Sequence, residues 1–206
     1  MYLKKDSFVV VLLGDWNKYY IQPEWISENV FEEHEIEIGV RGEGLDLIVS
    51  YRNGDIVIVP GQSKTIFTAL NTSNQTLEKT IKCINNFLAK ANTPILEAYG
   101  LNCDYIESDG SIYADMTDSM KDNTAFIDCG YQICNTNITR KLKKDRFVLN
   151  VEFSMENGDD LKIHFNEHHG ELMTEMPQLS IENVNNFLES CKKIVMQLGY
   201  EIEEAE

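Results

Sequence analysis

The chain has 206 residues, 43% of them apolar and 25% charged, which is globular composition and enough length to bury a core. Against 18 Lys and Arg stand 34 Asp and Glu, a formal net charge of -16. That excess excludes general binding to nucleic acid phosphates or anionic lipid, where affinity comes from cationic side chains that release counterions.

The first apolar run, Phe8-Val9-Val10-Val11-Leu12-Leu13, follows Lys4 and Lys5. It is far short of the ~20 residues a spanning helix needs. Gly14-Asp15-Trp16 follows it where a signal peptide would carry a small-residue cleavage site. A buried strand near 7–13 is therefore expected. Pro23-Glu24-Trp25-Ile26 opens a short helix, since Pro is favoured at the first helical position. Strands are expected near 35–40, 45–52, 55–60, 64–70 and 95–106, the first alternating as Glu35-Ile36-Glu37-Ile38. Gly39-Val40-Arg41-Gly42-Glu43-Gly44 lacks the Lys-Ser/Thr of a phosphate loop and reads as a strand-connecting turn. Asn53-Gly54 predicts a type I′ hairpin turn.

Leu77, Ile81, Ile84, Leu88 and Ala91 recur at the 3.6-residue period and predict a helix over 75–91. Ser73 or Asn74 can cap it, and Thr93-Pro94 stops it. Residues 107–123 are polar and acidic and read as a connector. Strands are expected next near 125–134, 146–154, 160–165 and 171–175. Ile181, Val184, Leu188, Cys191, Val195 and Leu198 predict a second helix over 180–198, with Ser180 as its cap and Gly199 at its exit.

The two helices match each other. Ile81-Lys82-Cys83-Ile84-Asn85-Asn86-Phe87-Leu88 aligns with Ile181-Glu182-Asn183-Val184-Asn185-Asn186-Phe187-Leu188 at an offset of 100. Upstream, Asn53-Gly54-Asp55 matches Asn157-Gly158-Asp159 at an offset of 104. A hairpin followed by a helix, twice in the same order, points to internal duplication. The expected fold class is α+β, with two duplicated halves, each an antiparallel β-meander followed by a long amphipathic helix. The halves would span 1–106 and 124–206 around the connector 107–123, as two units or as one compact pseudo-twofold domain.

Val11-Leu12-Leu13-Gly14-Asp15-Trp16-Asn17, then Gln22-Pro23-Glu24-Trp25, then Thr93-Pro94-Ile95-Leu96-Glu97-Ala98-Tyr99-Gly100-Leu101-Asn102 form a recurring order. In these segments the first half resembles a widespread group of uncharacterised bacterial proteins. They share an apolar strand ending in an aromatic-Asn pair, a Pro-x-Trp helix start and a Thr-Pro…Gly-x-Asn strand. The resemblance implies a cytoplasmic bacterial or phage α+β protein and brings no catalytic residue with it. On structural grounds Trp16 and Trp25 would bury aromatic area, and Gly100 would permit close packing.

Chemistry-bearing motifs are sparse. No Gly-x-Ser-x-Gly elbow exists. His164 and His168 are four apart, a zinc spacing on a helix, but Leu161-Lys162-Ile163-His164-Phe165 alternates as a strand and 166–170 reads as a turn. A metal site with Glu167 or Glu171 is the weaker reading beside a solvated turn; His169 lies in the same turn. Cys83, Cys103, Cys129, Cys134 and Cys191, an odd and scattered set, suit a reducing cytoplasm. Cys129 and Cys134, five apart in an expected strand, would face opposite sides. No catalytic residue, metal or cofactor is expected.

Charge is mapped more sharply than motif. Residues 104–128 carry -6, residues 28–37 carry -5, and the last six residues carry -4. Arg140-Lys141-Leu142-Lys143-Lys144-Asp145-Arg146 carries +4 and reads as a turn paired with the chain's own carboxylates, or else as an anion contact through Arg140, Lys141, Lys143, Lys144 and Arg146. The leading expectation is a non-enzymatic acidic protein that binds and modulates a basic partner protein, of the immunity, antitoxin or phage counter-defence type. Glu28, Glu32, Glu33, Glu35, Asp115, Asp118 and Asp122 would form the contact, extended by Glu37. One alternative is a ligand-binding or regulatory module with a pocket between the repeats. A second is a metal-dependent hydrolase using His164, His168 and nearby carboxylates. Oligomeric state is not fixed by any of these.

Overall fold

The computed structural model describes residues 1–16, 21–43, 46–91, 96–108, 135–144, 146–156, 160–170 and 178–203. Its elements in chain order are β1 (Tyr2–Leu3), β2 (Phe8–Gly14), α1 (Pro23–Ile26, continued by a π-helical turn Ser27–Phe31), β3 (Glu37–Glu43), β4 (Asp46–Asn53), β5 (Ile56–Val59), β6 (Lys64–Ala69), α2 (Asn74–Lys90), β7 (Leu96–Glu107), β8 (Asn135–Lys144), β9 (Phe147–Glu156), β10 (Leu161–His169) and α3 (Ile181–Gln197). The fold class is α+β. The expected strands at 125–134 and 171–175, the Thr93-Pro94 stop, the Asn157-Gly158 turn and most of the acidic connector lie outside the described residues.

One antiparallel sheet carries all ten strands of the described residues, in the order β3-β4-β5-β6-β2-β7-β10-β9-β8, with β1 also on β7. The strands of the first half are not a plain meander. β3 to β6 and β8 to β10 pair in sequence, but β2 lies between β6 and β7. The centre is the β2–β7 pair, with Val9 opposite Asn102 and Leu12 opposite Tyr99.

Alternation decides which face is core. In β2, Phe8, Val10 and Leu12 are fully buried and the intervening residues are half-buried. Cross-strand partners share a face, so Phe67, Leu101, Cys103, Phe165 and Ile163 join them under the helices. Phe87 of α2 gathers Trp16, Trp25 and Phe67 edge-to-face at centroid distances of 5.0, 6.0 and 5.6 Å. Each such pair adds about 0.5–1.5 kcal/mol beyond area burial. Cys103 of β7 and Cys191 of α3, both fully buried, meet through their thiols. Burial, then the Cys191 contact, push the Cys103 thiol well above its ordinary range.

The helix ends follow their caps. The Ser73 hydroxyl accepts from the Thr76 N–H, and Ser180 with Asn183 forms a capping box. Gly199 leaves α3 at φ +95°. Asn85 of α2 donates to the Leu179 carbonyl (2.9 Å) and accepts its N–H (3.1 Å), tying α2 to the entry of α3.

Three local expectations are corrected. The β4–β5 loop is Gly54-Asp55, because Asn53 still pairs with Ile56, and only Gly54 has positive φ. A type I′ pair is therefore not formed. Gly39 and Gly42 are strand residues of β3, held in register with Ser50 and Leu47, and not turn residues. Residues 166–169 continue β10, because β7 and β9 pair with it from both sides as far as Tyr99 and Val148.

Candidate functional site

The two ends of the sheet differ in charge. At the β3 end, Glu28 on the π-helical turn and Glu32, Glu33, Glu35 and Glu37 beyond it are all exposed. Glu32 sits at φ 57° and binds Lys82 at 2.7 Å and Lys90 at 3.4 Å. The hydrogen bonds from Lys82 and Lys90 hold its carboxyl below the ordinary range. Glu37 reaches Arg52 only at 3.9 Å. Asp115, Asp118 and Asp122, expected to join this surface, lie outside the described residues, as do Cys129, Cys134 and Glu171.

Beside the glutamates, Ile38, Val40 and Leu47 are 52%, 62% and 75% exposed. They point to the same sheet face as the core, since Ile38 pairs with the buried Tyr51. β3 pairs with β4 alone, so its outer backbone edge is open among the described residues. The apolar half of this surface escaped the sequence reading, which took the alternation at 35–40 as an ordinary strand.

At the other end is β8. The basic segment was expected as a turn. Instead Arg140 to Lys144 form a regular strand, paired residue by residue from Lys141↔Asn150 to Lys144↔Phe147. Arg140, Lys141 and Lys143 are exposed and make no ion pair among the described residues. Ile138 packs against the core, so Arg140 and Leu142 share its face, and Thr139, Lys141 and Lys143 face the side opposite the helices.

That opposite face is polar from β8 to β7. One row reads Lys141, Asn150, Asn166, Asn102. Asn150 donates to Asn166 (3.0 Å), Asn166 to Asn102 (2.7 Å), and Asn102 to the Val9 carbonyl (3.1 Å). A side chain at Gly100 would crowd the Asn166 amide at 3.1 Å, so its glycine makes room for this row. The next row reads Thr139, Glu152, His164, Asp104. His164 donates from Nδ1 to Asp104 at 2.6 Å, and Lys162 approaches the other carboxylate oxygen at 3.6 Å. Burial would raise the Asp104 carboxyl. The His164 bond and the charges of Lys162, His164 and Lys4 outweigh it and hold the group below its ordinary value.

The histidines are split by the strand. His164 and His168 share the polar face, whereas His169 turns to the helix side. There it stacks on Tyr99 at 4.3 Å and binds Glu167 at 2.8 Å. Glu167 therefore cannot complete a site with His164 and His168. Among the described residues no three His, Cys, Asp or Glu converge on a metal position.

No family model and no curated protein matches the chain. A solved structure from Bacillus halodurans, described as a "putative adenylate cyclase", is similar over 98% of this chain and 79% of its own, at 10% identity and a TM-score of 0.21. A likeness at that score carries no argument about fold or function. No helix among the described residues is long and apolar enough to cross a membrane.

Proposed function

We propose that the chain is a non-enzymatic interaction protein that binds a basic partner protein through the β3 end of its sheet. One observation carries the reading: Ile38 and Val40 on β3, whose outer edge is open, and Leu47 on β4 stand exposed on one face, with exposed Glu33 and Glu35 just before β3 and Glu37 at its start on the other face. Isolated exposed aliphatics are ordinary, but a contiguous set rimmed by charge marks an interface. The glutamates steer a cationic partner and speed its approach, the aliphatics supply burial, and the open edge can accept an added strand. An immunity protein, an antitoxin or a phage inhibitor of a nucleic-acid-handling enzyme has this character, and a cytoplasmic setting follows from it.

The test is capture of basic proteins from the source cell by the full chain, at low and high salt. A salt-sensitive complex is expected, lost in the variant E33Q/E35Q/E37Q and in Val40→Lys. No salt-sensitive complex, or one that both variants retain, overturns the reading.

We infer further that the two sides of the sheet arose by duplication. Support comes from the order of elements: β2 and β7 each lie beside the last described strand before a helix, β6 and β10, and each helix carries Asn-Asn-Phe-Leu. Superposing β2, β4–β6 and α2 on β7–β10 and α3 in a crystal structure tests it. Helices that fall on different strands would end the idea.

A further inference from the structure

Although the chain's net charge is -16, Lys141 and Lys143 are exposed and find no carboxylate among the described residues. The nearby acids are otherwise placed. Asp104 is engaged by His164 and Lys162, and Glu152 faces His164 from the neighbouring strand. The acidic strip of the β3 end lies at the far side of the sheet. Charges beyond about 10 Å are largely screened at 0.1 M salt, so the local groups, Lys141 and Lys143 set against Glu152 one row away, govern what binds here.

The amide row adds a second zone. Its bonds all run one way, Asn150 to Asn166 to Asn102 to Val9. The row therefore ends, next to Lys141, on an Asn150 carbonyl oxygen that no described group occupies. His168 lies in the adjacent row, opposite Gly100 on one side and Val148 on the other, with Lys143 beyond Val148. Strands are about 4.8 Å apart, so Asn150 and Asn166 stand roughly 5 and 10 Å in from the lysine strand. Cations at one end and an oriented amide acceptor one strand further in match a ligand with a phosphate and a hydrogen-bonding ring a short distance away.

We propose that this face binds a nucleoside monophosphate, its phosphate against Lys141 and Lys143 and its base against Asn150 and Asn166. The site goes beyond the partner-binding reading and uses none of its residues.

Calorimetry and thermal unfolding of the full chain with AMP, GMP, CMP and UMP, the corresponding nucleosides, and inorganic phosphate test it. At least one nucleotide is expected to bind and raise Tm, more than its nucleoside or phosphate does. The exposed double variant K141Q/K143Q should lose about tenfold or more in affinity, since each charge-assisted contact is worth about that factor. Asn150→Ala should weaken the nucleotide and leave inorganic phosphate unchanged. The proposal is overturned if no nucleotide binds, if phosphate alone binds as well as the nucleotides, or if K141Q/K143Q binds like the parent. In the last case the lysines serve to keep edge β8 from pairing with other chains, and the variant should aggregate.

Discussion

Helices α2 and α3 carry the same Asn-Asn-Phe-Leu at the same helical phase, yet they use it differently. In α2 both asparagines hold backbone: Asn85 clasps Leu179, and Asn86 donates to the Val30 carbonyl at 3.2 Å. Phe87 sits among three aromatic rings. In α3 the corresponding Asn185 and Asn186 are exposed, and Phe187 is buried with no ring contact of that kind among the described residues. The apolar positions of the motif have a fixed duty, because the helix must cover sheet. The polar positions acquire a role only where a neighbouring segment presents backbone to bind.

Breaking that comparison should give graded effects. Phe87→Ala is expected to cost the most, about 4 kcal/mol in denaturant unfolding, because a cavity opens where four rings meet. Phe187→Ala should cost about 3 kcal/mol. If the order reversed, the aromatic cluster would not be the centre of the core. Asn85→Ala leaves the Leu179 carbonyl and N–H without partners and should cost about 1–3 kcal/mol. Hydrogen exchange should then quicken at the start of α3.

A pH-dependent effect marks β7, under α3. The Asp104 carboxyl is lowered in the folded state, so its contribution is fully present above the ordinary Asp value of 3.8 and is lost as pH falls through the lower native value. Asp104→Asn should therefore be less stable than the parent at neutral pH, and the gap should close under acid. A gap that stayed constant to the lowest pH would contradict this. The smallest effect is Asn185→Ala, expected within about 0.5 kcal/mol of the parent, and a larger loss would mean that α3 has a partner for that face.

These contrasts follow what the amino-acid order can and cannot reveal. α2 and α3 are readable because Leu77, Ile81, Ile84 and Val184, Leu188, Cys191 recur at helical spacing between evident caps. β8 is not, since its apolar residues, Ile138 and Leu142, are four apart, and an edge strand facing solvent needs no strict alternation. The end of β10 carries turn-favouring residues, Asn166 to His169, and pairing on both sides overrides that propensity. The amide row joins Asn102, Asn150 and Asn166, which no local pattern links. At the β3 end the glutamates could be found by charge alone, but exposure of Ile38 and Val40 depends on where the helix layer stops.

The central pair of the sheet has a kinetic consequence. Val9 and Asn102 lie 93 positions apart in the chain, and the segments between them supply β3 to β6 and α2. β2 therefore cannot find its second neighbour until most of the first hundred residues have been ordered or looped out. Closing so long a loop before its contacts form slows the search for the native state. During that interval β2 and β7 would each show a raw, hydrogen-bonding margin. In refolding experiments the sheet should join late at its middle, and high protein concentration should divert chains into aggregates at that step.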